Sequence, residues 1–140
     1  MTKGKRPPQM WVYAPRKPAK PTVPDALKAE VAEHAQALIE EWKPQYITEP
    51  PQDQRFNYIV DLYTKWFRNY FYFCARYACP GPTALSPFFE SRFTRMEYIG
   101  DRRFNLAFMR HTGQWIEVEQ GLTLNECLES IRSDGFYHPS

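Results

Sequence analysis

Residues 56–82 read FNYIVDLYTKWFRNYFYFCARYACPGP, and whether this aromatic run is helix or strand decides the fold. Phe56, Tyr58, Val60, Leu62 and Trp66 share one parity, while Asn57, Asp61, Lys65 and Asn69 share the other. A period of two belongs to a strand with one buried face. Arg68-Asn69 then reads as a turn and residues 70–77 as the return strand, with Phe71, Phe73, Ala75 and Tyr77 toward the core and Tyr70, Tyr72, Cys74 and Arg76 away from it. A helix through the same residues would be apolar on every side, and the Tyr, Phe and Trp content favours strands. Pro80-Gly81-Pro82 closes the segment, because proline cannot donate to a sheet ladder.

Working outward, Phe93, Met96 and Tyr98 form a third strand whose parity shifts once, the mark of a bulge. Gly100-Asp101 turns the chain. Phe104, Leu106 and Phe108 alternate with Asn105, Ala107 and Met109 in a fourth strand, His111-Thr112-Gly113 makes another turn, and residues 115–118 a fifth strand. A last helix follows, with Thr123 as N-cap, Glu126 completing a capping box, and Leu124, Cys127, Leu128 and Ile131 on its buried side. Upstream, Pro24-Asp25 opens a helix whose apolar stripe is Leu27, Val31, Ala35, Leu38, Ile39 and Trp42, and Lys43-Pro44 is expected to end it. The fold class is therefore α+β: an antiparallel sheet of four to five strands flanked by an N-terminal and a C-terminal helix, in a single domain over residues 24–140.

Ahead of that domain, residues 1–23 form a basic, Pro-rich arm expected to be extended. Lys3, Lys5, Arg6, Arg16, Lys17 and Lys20 stand there without a single acid. With a net charge of +2 for the chain, the rest carries 2 − 6 = −4. Such a split suits an arm for nucleic acid or a tail lying on an acidic surface. Within the arm, Met10-Trp11-Val12-Tyr13 is an apolar island, expected to dock on the body or, failing that, on a partner.

The 140 residues suffice for one core, and ten Phe, nine Tyr and four Trp supply most of its bulk. No stretch approaches the roughly 20 apolar residues of a membrane span, and the basic start leads into prolines instead of an apolar signal segment. Three cysteines without an export signal fit a reducing compartment, so a cytoplasmic protein with no membrane partner is expected.

Cys74 and Cys79, with Cys127, His111 and His138 elsewhere, are the candidates for a zinc site, and a single Cys pair of this kind is more simply read as packing. His34, His111 and His138 are too scattered to serve a Ser or Cys nucleophile, Glu117 and Glu119 read as a solvated strand face, and no Gly-rich phosphate loop is present. The expectation is a protein without enzymatic activity or cofactor. Binding has more support. Arg92, Arg95, Arg102, Arg103 and Arg110 crowd into nineteen residues that lack lysine, and Tyr63, Tyr70, Tyr72 and Arg76 lie off the core parity. Cations beside rings are what single-stranded RNA or DNA binders use, although Glu90, Glu97 and Asp101 stand among the arginines as competitors. The functional expectation is a nucleic-acid binder working through the arm and an Arg/Tyr sheet face, with a protein–protein interaction module as the alternative.

The stretch FTRMEYIGDRRFNLAFMRHTGQWIEVEQGLTLNECLESIRSDGFYHP, through Arg95, Met96 and Tyr98, Phe104, Leu106 and Phe108, Trp115, then Leu124, Leu128, Ile131, Asp134 and Phe136, resembles the C-terminal half of a bacterial domain family of unknown function. Met96 replaces an aromatic and Glu97 a second base of that family's pattern, so the resemblance does not imply a shared arginine site. It implies the strand–strand–strand–helix order, with residues 1–54 as an addition, and no activity.

Overall fold

In the computed structural model, residues 20–139 are described. The arm cations Lys3, Lys5, Arg6, Arg16 and Lys17, and the island at 10–13, lie outside them. The elements are α1 (Asp25–Tyr46), β1 (Tyr58–Phe67), β2 (Tyr70–Ala78), β3 (Phe88–Gly100), β4 (Arg103–Met109), β5 (Trp115–Leu122), α2 (Leu124–Ser133) and a 3₁₀ turn (Gly135–Tyr137). The strands form one antiparallel meander in the order β1-β2-β3-β4-β5. Each strand pairs with its sequence neighbour, through short hairpin turns except at the nine-residue β2–β3 connection.

The core lies between the two helices and one face of the sheet. Leu27, Val31, Ala35, Leu38, Ile39 and Trp42 of α1, and Leu124, Cys127, Leu128 and Ile131 of α2, meet Phe71, Phe73, Ala75, Tyr77, Met96, Phe104 and Leu106 in one cluster. Helix α1 is further tied to β1 by the Trp66 indole, which donates to the Lys28 carbonyl at 3.1 Å. Helix α2 has the expected capping box: Thr123 Oγ1 accepts from the Glu126 amide (3.2 Å), and Glu126 Oε1 accepts from the Thr123 amide (2.8 Å).

Two local expectations need correction. Helix α1 does not stop at Lys43-Pro44 but continues to Tyr46. A proline in the last turn forfeits one ladder bond. The turn is held instead by Tyr46 packing edge-on against Trp42 (6.0 Å between centroids) and by its hydroxyl bonding His138. In β1 the register slips between Ile59 and Asp61, so Ile59 and Leu62 are buried while Val60 is half-buried. Phe56, placed on the core parity by the sequence, lies before the strand and is 60% exposed.

The C-terminal tail seals one end of the core. Tyr137 is fully buried; its hydroxyl donates to Glu119 (2.9 Å) and its carbonyl accepts from Thr94 (2.8 Å). His138 Nε2 lies 2.9 Å from the Arg132 carbonyl, which can only accept. That nitrogen carries the proton, and Nδ1 accepts from the Tyr46 hydroxyl at 2.7 Å.

Candidate nucleic-acid interface on the open sheet face

No described helix covers the second face of the sheet. What the face displays follows from strand register. Its β2 residues are Tyr70, Tyr72, Cys74 and Arg76, facing Lys65, Tyr63 and Asp61 across β1. On β3 the partners of Tyr70, Tyr72, Cys74 and Arg76 are Glu97, Arg95, Arg92 and Glu90. Arg92 and Arg95 are three apart and would point to opposite faces of a regular strand. The bulge expected from the parity shift is present, with Phe73 opposite Thr94 and Cys74 opposite Arg92. It turns both Phe93 and Thr94 into the core and both arginines onto the open face. Bulges redirect side chains in this way.

On this face cations and rings interleave. Lys20 bonds the Tyr70 hydroxyl, has Nζ 4.4 Å from that ring's centroid, and pairs with Glu97 at 3.6 Å. Arg92 lies over Tyr72 (4.9 Å) and Arg76 over Phe88 (4.6 Å). The Arg95 guanidinium is 4.8 Å from the centroids of both Tyr70 and Trp115. Tyr72 links the set, 6.0 Å from Tyr70 and 5.7 Å from Trp115. Cation–π contacts of this kind contribute about 0.5–1 kcal/mol each when exposed and more when desolvated.

Glu90 is the anionic hub. It accepts from Lys65 Nζ (2.8 Å), from Arg92 Nε (3.3 Å) and from the Tyr63 hydroxyl. Burial alone would raise its pKa, but these donors outweigh burial and hold the carboxyl at about 2. Burial, reinforced by Glu90, pushes the Tyr63 hydroxyl above its ordinary range. Burial likewise pushes the Cys74 thiol up to about 12, so it sits beneath the charged layer as a small apolar residue.

Of the arginines singled out in the sequence, the fold unites Arg76, Arg92 and Arg95 and separates the rest. Arg102 pairs with Glu30 of α1 at 2.7 Å, and Arg103 bonds the Gly121 carbonyl (3.2 Å) and faces Glu126 (3.7 Å). Both therefore serve the helix side. Arg110 stands at the β4–β5 turn, where its amide bonds the Gln114 carbonyl. Cys79 follows the end of β2 and His111 lies in the β4–β5 turn, and the described residues contain no group of three or more His, Cys, Asp or Glu placed to share a metal. The sequence reading missed Trp115. Its signal is the alternation of Ala107 and Met109 against Leu106 and Phe108: Met109 pairs with Trp115, which sets that ring on the open face.

A family model described as a domain of unknown function, DUF3024, matches residues 11–138. The chain belongs to the DUF3024 family. The match extends well beyond the C-terminal half expected from the sequence, so α1 and the residues from 11 onward fall within the DUF3024 span instead of being additions to it. No curated protein and no solved structure matches the chain.

Proposed function

We propose that this DUF3024 protein is a small non-enzymatic binder of single-stranded RNA or DNA, working through the open sheet face and the basic residues ahead of it. The observation that carries the reading is the β3 bulge, which brings Arg92 and Arg95 onto one surface with Lys20, Tyr70, Tyr72 and Trp115. Guanidinium and ring together are the chemistry that engages phosphate and exposed bases. Local charges nearly balance on the face, with Lys20, Lys65, Arg76, Arg92 and Arg95 against Asp61, Glu90, Glu97 and Glu117. Long-range attraction would then come chiefly from the five other cations of residues 1–23, Lys3, Lys5, Arg6, Arg16 and Lys17. Titration of labelled single-stranded oligonucleotides at two salt concentrations tests this. Each phosphate contact should steepen the dependence of log affinity on log salt by about 0.7. Absence of binding at low salt would overturn the reading.

A second reading, a protein-interaction module, is favoured by one feature. Phe56, Leu85, Phe88 and Phe89 are each more than 40% exposed around the β2–β3 connection. Exposed large apolar residues grouped in this way mark protein contacts. Pull-down with a Leu85→Asp, Phe89→Ser control separates it from the first.

A further inference from the structure

Nine arginines are described between residues 20 and 139, and five of them, at 55, 92, 102, 103 and 132, meet a carboxylate. Arg68, Arg76 and Arg110 have no carboxylate partner among the described residues but are exposed, where water solvates them. Arg95 is the exception. It is half-buried, none of the described carboxylates lies within ion-pair distance of it, and its Nε is shielded from solvent without an acceptor. A desolvated donor left unmade is costly, and in a charged group more so.

What surrounds Arg95 narrows what would complete it. Tyr70 on the β2 side and Trp115 on the β5 side attract the cation through their rings but accept no hydrogen bond in its plane. The acids of this face are engaged elsewhere or out of reach. Glu97 pairs with Lys20, and Glu90 with Lys65, Arg92 and Tyr63. Glu117, in line with Arg95 through Ala107, accepts from Gln120 (2.7 Å) and lies beyond ion-pair distance of the guanidinium. With Nε shielded, the Nη1–Nη2 edge of the guanidinium is the open position. Groups that fill such an edge are oxyanions with two oxygens to fork. Lys20 and Arg92, seated on the neighbouring Tyr70 and Tyr72 rings, are paired with Glu97 and Glu90, so Arg95 itself supplies the charge that a phosphate oxyanion would meet.

We infer that Arg95 is a phosphate-recognition site, in which Tyr70 and Trp115 orient the guanidinium and the ligand's phosphate oxygens take its free Nη1–Nη2 edge. This rests on the same face as the nucleic-acid reading and narrows it: the contact at the centre is with phosphate, and the Tyr70 and Trp115 rings hold the arginine instead of stacking bases. The phosphate of a free nucleotide and that of a chain share this chemistry.

The test follows the Arg95 Nε–H and Trp115 indole N–H resonances of the ¹⁵N-labelled full chain at constant ionic strength. Inorganic phosphate, uridine 5′-monophosphate, uridine and a single-stranded oligouridine are added separately. Phosphate and the monophosphate should shift both resonances saturably, and uridine should not. Arg95→Lys, which keeps the charge and loses the fork, should weaken monophosphate binding at least about fivefold, and Arg110→Ala should leave it unchanged. Equal shifts from uridine, or an Arg95→Lys chain that binds as the wild type does, would overturn the inference. The two proposals fail separately. Saturable phosphate binding without oligouridine binding sinks the nucleic-acid reading alone; oligouridine binding unaffected by Arg95→Lys sinks the phosphate site alone.

Discussion

Glu90 carries three donors on one exposed strand face, and the consequence is a defined pH window. Its folded pKa, about 2, lies below the ordinary value of 4.5, so the unfolded chain binds this proton more readily than the folded one. The stabilisation is complete above 4.5 and is lost as pH falls through about 2. Urea midpoints of the wild type and Glu90→Gln should therefore differ most near neutrality and converge over that window; a constant difference would show that the hub is worth nothing electrostatically. At this scale the sequence was half legible. Glu90 and Glu97 were visible as competitors for the arginines, and Glu90 does take Arg92, but Glu97 takes Lys20 and leaves Arg95 open. Which carboxylate meets which cation depends on cross-strand register, and single-strand alternation carries no information about that.

The elements were legible wherever one face is much more apolar than the other. Helix α2 shows this, since its stripe and its capping box both appeared in the sequence and both are present. Thr123→Ala removes the Oγ1 acceptor and should cost about 1 kcal/mol, read as a lower urea midpoint with an unchanged slope. In β3 the bulge announced itself because Phe93 and Met96 are both apolar at odd spacing. In β1 the slip was silent: Ile59 and Val60 are adjacent, β-branched and equally apolar, so either one could have been turned inward. Phe56 misled for a related reason, as a large ring on the right parity that lies outside any ladder. The continuation of α1 past Pro44 was hidden because what secures it, His138, lies 92 residues away from Tyr46.

For the whole molecule, the arrangement of two helices on one face of a meander was readable from periodicity, while the composition of the open face was not. The five arginines at 92–110 formed one group in the sequence, yet alternation and a bulge distribute them between the open face, the helix side and a turn. The tail is the molecule's other long-range device. Truncation after Ser133 removes Tyr137, a fully buried ring, with its bonds to Thr94 and Glu119. Loss of a buried aromatic costs about 3–5 kcal/mol, so the truncated chain should melt well below the wild type in calorimetry. An unchanged melt would show the tail to be dispensable. The clasp between Tyr46 and His138 also has a meaning for biosynthesis. Helix α1 leaves the ribosome first, but Phe93 and His138, which contact Trp42, are translated much later. At about 5–20 residues per second, the 92 residues separating Tyr46 from His138 take roughly 5–20 seconds to make. During that interval the nascent helix lacks the partners that cover Trp42, and the stripe is closed only once His138 has been made.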